Sequence, residues 1–269
     1  MSEPLVVTAD ITKIFPVLGG FWRRQVGRVT AVEGVSWRIE PGEAVGLVGE
    51  SGSGKSTFAR MLVGLLLPTR GVVQVGGYDM QGLRRGERLA ACRVAQLIFQ
   101  DSNNSLNPRM CVEDLVGEPL IIHRLAQGRP ARRRRVEELL AQVKLPSAYL
   151  RRLPHELSGG ERQRVGIARA LAVEPKILIC DEPVAALDVS VGAQILELLR
   201  TLHRRQGMAL LLISHDLGAV ASLCGRIGVM RSGRLIEVGP TGELLAHPQD
   251  PYTQLLIRSS ALDLDAAAP

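Results

Sequence analysis

Ala44-Val45-Gly46-Leu47-Val48-Gly49-Glu50-Ser51-Gly52-Ser53-Gly54-Lys55-Ser56-Thr57 is the stretch that decides the fold. A short apolar strand, 44–49, runs straight into a Gly/Ser-rich turn, and the turn opens a helical segment over 55–66. Residues 49–56 fit the Walker A pattern G-x-x-x-x-G-K-[ST]. The glycines let the backbone aim its N–H groups at an anion, and the helix opening at Lys55 adds the positive end of its dipole. Gly49, Glu50, Ser51, Gly52, Ser53, Gly54, Lys55, Ser56 and Thr57 therefore read as a phosphate cradle. In it Lys55 reaches the β- and γ-phosphates of a nucleotide, and the Ser56 hydroxyl ligates Mg²⁺. A strand–glycine loop–helix unit of this kind predicts an α/β fold around a central sheet.

Such a loop needs an acidic metal partner at the end of another strand. Ile177-Leu178-Ile179-Cys180-Asp181-Glu182 supplies one. An apolar strand ending in two carboxylates is costly unless the charges meet a cation. Asp181 is expected to hold Mg²⁺ through water, and Glu182 to act as general base on the attacking water.

Further strands are expected at 176–181, 208–214 and 226–230, with a helix at 191–205 between the first two. That alternation of buried strand and helix fits a largely parallel sheet. The first 45 or so residues read as short strands and turns, and the Gly-Gly-Phe-Trp-Arg-Arg segment at 19–24 as an exposed loop. Between about 101 and 165 the texture changes: VEDLVGEPLII and RRRRVEELLAQV are helical in period, predicting a helical subdomain inserted into the core. Residues 241–269 read as a loosely organised tail.

The length allows one large domain or two small ones. The chain has 269 residues, 46% hydrophobic and only 3% aromatic, so aliphatic side chains must build the core. No apolar run approaches the length of about 18 needed to cross a bilayer. The start, Met-Ser-Glu-Pro, lacks a signal-peptide pattern, so a cytoplasmic protein is expected. Cys92, Cys111, Cys180 and Cys224 show no CxxC spacing and read as reduced, mostly buried thiols. The net charge of +6 points to a negatively charged partner without choosing one. The run Arg132–Arg135 precedes an acidic helical pattern and reads as a solvated helix face.

Many NTPases share the first two motifs. Leu157-Ser158-Gly159-Gly160-Glu161-Arg162-Gln163-Arg164 narrows the choice. Here the chain resembles the ABC ATPase family, whose signature is LSGGQ-like; Glu161 replaces the common Gln. Other elements match in order. Gln100 in LIFQD is similar to the Q-loop glutamine that contacts Mg²⁺, Ala186-Leu187-Asp188 to the D-loop, and His215 in LLISHD to the switch histidine. Phe15 falls where the family stacks an aromatic on adenine. The resemblance spans about residues 5–240. It implies a P-loop NTPase of the ABC ATPase fold: a RecA-like core sheet, an N-terminal antiparallel β-subdomain and the inserted helical subdomain, over about 1–240, followed by a short C-terminal extension, 241–269. It also implies ATP and Mg²⁺ as ligands and a head-to-tail pair of ATPase domains. In that pair Ser158, Gly159, Gly160, Glu161 and Asp188 of one chain would close on the nucleotide held by the other.

Within the family the chain most resembles the ATPase subunits of oligopeptide, dipeptide and nickel importers, of the second-ATPase type. Phe15-Pro16-Val17 with the basic loop after it, DSNNSLNPR at 101–109, and His247-Pro248-Gln249-Asp250-Pro251-Tyr252-Thr253 carry this likeness; the last matches an HPYT element with two extra residues. The resemblance implies a second, different ATPase subunit, two transmembrane permeases and an extracytoplasmic solute-binding protein as partners, with this chain peripheral on the cytoplasmic face of the membrane. It also places the permease-coupling surface around Ser102–Met110 and Arg129–Leu153. No cysteine follows Cys224, so no iron–sulfur centre is expected. A soluble ABC ATPase working on nucleic acid is the rival reading. Against it, Gln100 and Ser158 lie only about 58 residues apart, with no heptad run or CxxC between them, and no nucleic-acid partner is expected.

Overall fold

The computed structural model describes residues 3–19, 24–100 and 106–266. Two sheets organise it. The N-terminal one has the order β2-β1-β4-β5 and is antiparallel, built from β1 (Val6–Gly19), β2 (Arg24–Ile39), β4 (Arg70–Val75) and β5 (Tyr78–Asp79). The second has the order β10-β9-β3-β8-β7-β6. It comprises β3 (Ala44–Val48), β6 (Ala95–Ile98), β7 (Ile177–Asp181), β8 (Ala209–Ile213), β9 (Arg226–Arg231) and β10 (Arg234–Pro240). All its pairs are parallel except β9 with β10.

Strands β3, β7 and β8 are buried along their whole length, as expected of parallel strands covered on both faces. The period-2 alternation then divides their side chains between two cores. Val45, Leu47, Ile177, Ile179, Leu211 and Ile213 point toward the antiparallel sheet, where they meet Trp37 and Phe58. Val48, Leu178, Leu210 and Leu212 point the other way, onto Ile167, Leu171, Ile195 and Leu199. Each such side chain contributes about 1.5–3 kcal/mol by leaving water.

Helices flank the core: α1 (Lys55–Leu62), α2 (Arg85–Val94), α3 (Val112–Ile122), α4 (Gly128–Gln142), α5 (Gly159–Leu171), α6 (Val189–Gln206), α7 (Leu217–Leu223), α8 (Thr241–Ala246) and α9 (Pro251–Ala266). α1 is shorter than expected: it stops at Leu62, and Gly64 follows at φ 69°, a glycine stop. α5 runs unbroken through residue 165, so the helical segment joins the core by a continuous helix. On α4, Arg133 pairs with Glu137, and Arg135 with Glu138 and Glu174, which accounts for two arginines of the basic run as a solvated face.

Two expectations need correction. The N-terminal region is not a set of short strands but a hairpin of 14- and 16-residue strands. The tail is not loose: Leu244, Tyr252 and Thr253 are buried, and Glu237 on β10 accepts the N–H groups of Gln249 (2.9 Å) and Asp250 (3.2 Å). Of the loop expected at 19–24, Gly19 belongs to β1 and Arg24 to β2; residues 20–23 and 101–105 lie outside the described residues.

Candidate nucleotide site

The carboxyl ends of β3, β8, β7 and β6 lie side by side, and the chain leaves them through Gly49, Ser214, Glu182 and Phe99 respectively. The glycine loop after β3 is held tightly. A Cβ on Gly49 (φ 148°) would strike the Met230 carbonyl oxygen, and one on Gly54 (φ 106°) the Ala31 carbonyl oxygen. Both positions therefore demand glycine on two counts. Ser53 N–H donates to the Glu50 carbonyl (3.1 Å), and Gly233 N–H to that of Ser53 (2.9 Å).

α1 begins with Gly54 as its cap, with no capping side chain and no acidic residue in its first turn. Its free N–H groups and dipole face the loop, which is the physical basis of an anion site. Lys55 is 4% exposed. Its ammonium donates to the carbonyls of Gly49 (2.6 Å) and Glu50 (2.8 Å) and to Ser53 Oγ (3.3 Å). Burial pushes its pKa down, against the opposing pull of Glu182, Asp181 and Glu50.

Ser56 Oγ donates to Asp181 Oδ1 at 3.0 Å. Burial raises the Asp181 carboxyl, while the Ser56 bond works against that rise. Glu182 sits in the left-handed region (φ 49°), and its N–H donates to the Ile213 carbonyl at 2.9 Å. This locally costly conformation turns the carboxylate back across the end of β8, where Oε2 lies 3.0 Å from His215 Nδ1. A carboxylate only accepts, so Nδ1 carries the proton in this pair. His215 is itself fixed between Ser214, whose N–H bonds the Leu47 carbonyl, and Asp216, which caps α7 through Ala219 N–H.

Gln100 stands two residues beyond β6, exposed, beside the strand that carries Asp181. Phe15 lies half-buried on β1 opposite Val29, with Lys13 Nζ 5.3 Å from its ring centre. Ala31, whose carbonyl abuts Gly54, is two residues further along β2.

The signature residues form a separate cluster. Ser158 caps α5, its Oγ accepting Glu161 N–H (3.3 Å). Gly159 lies against Leu187, and Gly160 against Val191 on α6, whose cap is Asp188. The Glu161 carboxylate is occupied at both oxygens, by Ser158 N–H (2.7 Å) and the Tyr149 hydroxyl (2.6 Å). The Tyr149 bond, followed by the Ser158 N–H, holds that carboxyl below its ordinary range. The spacing Ser158-x-x-Glu161 is a capping box, a signal legible in the sequence that points Glu161 at its own helix. Among the described residues no hydrogen bond joins this cluster to the phosphate loop.

One residue escaped sequence reading. Tyr252, from α9, is 4% exposed, and its hydroxyl accepts the Glu50 N–H at 3.0 Å. Only the HPQDPYT segment marked the neighbourhood, and nothing local to it signalled a contact 202 residues away.

The residues present fit a nucleotide with Mg²⁺. The loop offers N–H donors and a buried ammonium; the Ser56 hydroxyl and the Asp181 carboxylate are hard oxygen ligands. Among the described residues no group of three or more His, Cys, Asp or Glu is placed to hold a metal.

Comparison with known proteins bears on this geometry. The ABC transporter family model matches residues 32–185. The oligopeptide transport ATP-binding protein OppF of Bacillus subtilis is 47% identical over 88% of this chain and 78% of its own length. AppF of the same organism, also an oligopeptide transport ATP-binding protein, is 43% identical over 96% of this chain and 78% of its own length. Among solved structures, the ATP-binding cassette MJ0796, in a dimeric post-hydrolysis state with ADP and Pi, superposes with a TM-score of 0.78 at 31% identity, covering 88% of this chain and 98% of its own. The chain belongs to the ABC transporter family, as one of its ATP-binding, ATP-hydrolysing subunits.

Proposed function

We propose that this chain powers uptake of peptides or a related solute across the cytoplasmic membrane, working as one half of a head-to-tail ATPase pair. The observation that carries the pairing is the separation of the two clusters. The phosphate loop with Asp181, Glu182 and His215 makes one half of a nucleotide site, and the Ser158–Gly160 turn makes a second half that does not reach it. Two chains arranged head to tail would unite them, and ATP, bound by both halves, would favour the closed pair. The dimeric MJ0796 structure supports this arrangement.

In the site so formed, Gly49–Thr57 cradle the phosphates, Lys55 exchanges its longer bond to Ser53 Oγ for a phosphate oxygen while the Gly49 carbonyl still braces it, and Phe15 stacks on the adenine. Ser56, Asp181 and Gln100 hold Mg²⁺. That ion, when bound, would supply charge stabilisation during phosphoryl transfer. Glu182 takes a proton from the attacking water, oriented by its bond to His215. Ser158, Gly159, Gly160 and Asp188 close on the nucleotide from the partner. Glu161 serves by fixing the cap.

No helix among the described residues is long and apolar enough to cross a membrane, so transport needs permease partners. A groove between the end of β6 and helices α3 and α5, lined by Phe99, Leu106, Pro119 and Ile122, supports a docking surface there. Phe99, Ile121 and Ile122 expose apolar surface at its edge. The groove takes in Leu106 from the expected 102–110 flank and no residue of the expected 129–153 segment, which favours the first of these together with α3. The names of the relatives support oligopeptides as the cargo class; a second, different ATPase subunit as the partner rests on the resemblance carried by the sequence motifs alone.

The test is to tag the chain in its native cell, extract it in mild detergent and identify co-purifying proteins by mass spectrometry. Two permeases, a second ATPase and a solute-binding protein are expected. Recovery of soluble proteins or nucleic acid alone would overturn the transporter reading.

A further inference from the structure

We propose that Tyr252 is a positioning residue of the phosphate loop: the C-terminal helix orients, through one hydroxyl, the peptide unit on which Lys55 rests. The inference builds on the nucleotide-site reading above. The Gly49 carbonyl and the Glu50 N–H belong to one planar peptide. Its oxygen accepts the Lys55 ammonium at 2.6 Å, and its N–H donates to Tyr252 Oη at 3.0 Å. The same peptide plane is gripped from both edges. Donation by its N–H polarises its carbonyl, so Tyr252 both fixes the direction of that oxygen and strengthens its hold on Lys55.

The hydroxyl is itself delivered by a built scaffold. Glu237 on β10 accepts the N–H groups of Gln249 and Asp250, and Asp250 Oδ1 accepts that of Tyr252 at 2.7 Å. The tyrosine ring is 4.7 Å from the Arg231 guanidinium at the end of β9, one residue beyond Met230, whose carbonyl forbids a side chain on Gly49. Burial pushes the phenol pKa up, so the hydroxyl stays neutral and available as an acceptor. Without it the Glu50 N–H would lose its partner, and the 49–50 peptide could rotate and carry its carbonyl away from Lys55. Since Lys55 holds the phosphates before and during the reaction, the consequence belongs to nucleotide binding rather than to the chemical step.

The experiment compares Tyr252→Phe with the unaltered chain in the purified transporter. The ring and its Arg231 contact stay; only the acceptor goes. The KM for ATP is expected to rise about threefold to tenfold, the worth of one neutral hydrogen bond. The kcat should stay within about twofold, and amide exchange should quicken over residues 46–52 and not over 241–259. An unchanged KM, or exchange that quickens along the C-terminal helices while the loop stays protected, would overturn the proposal and leave Tyr252 a packing residue. Should the variant fail to fold, the unaltered chain decides: a Glu50 amide protected about a hundredfold or more supports the bond, and an unprotected one refutes it. Failure of the unaltered transporter to bind ATP would instead sink the nucleotide site itself.

Discussion

Replacing Glu182 by Gln tests the chemistry most directly. The change keeps the side chain's shape. Its backbone N–H still bonds Ile213, and the amide oxygen can still accept His215 Nδ1–H across the present 3.0 Å. Gln pays the same cost as Glu for the left-handed backbone at φ 49°, so the fold should melt as before. What disappears is the proton acceptor. A positioned general base is worth about 10²–10⁴ in rate, or about 2.7–5.4 kcal/mol of barrier at 1.36 kcal/mol per decade. The lost carboxylate also removes a charge that repels the triphosphate, so ATP affinity should hold or improve. The assay is steady-state phosphate release by the assembled transporter, with the equivalent carboxylate of the partner ATPase already neutralised so that only this site reports. A kcat lower by at least a hundredfold with KM no higher is expected. A fall of less than tenfold would show that another group takes the proton, and the role given to Glu182 would be wrong.

Three further outcomes follow from other parts of the molecule. Asp181→Asn removes the carboxylate beside Ser56 and should raise the Mg²⁺ concentration for half-maximal turnover about tenfold or more, read from a Mg²⁺ titration of ATP hydrolysis. Gly46→Ala should destabilise the fold by about 1–3 kcal/mol, because its Cβ would collide with Val220 on α7; Val220→Ala in the same chain should restore part of the loss in thermal melts. Glu43 meets Arg226 through two bonds of 2.7 and 2.9 Å. Burial raises its carboxyl, but the Arg226 bonds and the Glu40 contact outweigh burial and leave it below the ordinary range. A depressed carboxyl stabilises above its unfolded pKa and ceases to do so as pH falls through the folded one. Glu43→Gln should therefore cost about 0.5–1 kcal/mol at neutral pH, after solvent screening, and nothing in acid below the carboxylate range, as read by denaturant titration at both pH values.

The parallel core and the phosphate loop were legible because their constraints are local. Four consecutive buried apolar residues, 177–180, running into Asp181-Glu182, or a glycine loop between strand and helix, admit few alternatives. The hairpin was not legible, because its alternation is broken. Register shifts interrupt β1 between Thr8 and Ile11 and again before Lys13, so the pattern reads as separate short strands. Pro16 lies within β1, which pairs with β4 only as far as Thr12. Beyond that point it is an edge, where a missing N–H is tolerated. Glu161 is ambiguous for a different reason. The Ser158-x-x-Glu161 spacing suits both a helix cap and a ligand contact, and nothing local announces the 2.6 Å bond that Tyr149 adds to the carboxylate.

The tail was illegible for a reason that also explains its use. Its burial depends on partners that are distant in sequence, namely Glu237 on β10 and the phosphate loop itself. That loop is bounded by Ala31 from β2, Met230 from β9, Gly233 from the β9–β10 turn and Tyr252 from α9. Each contact is to backbone, and two of them forbid a side chain at Gly49 and at Gly54. A displacement of the antiparallel sheet, the sheet edge or the C-terminal helix must therefore act on the peptide planes that face the phosphates. The Tyr252 contact is a side-chain hydrogen bond, which the loss of one atom abolishes without disturbing the backbone that surrounds it.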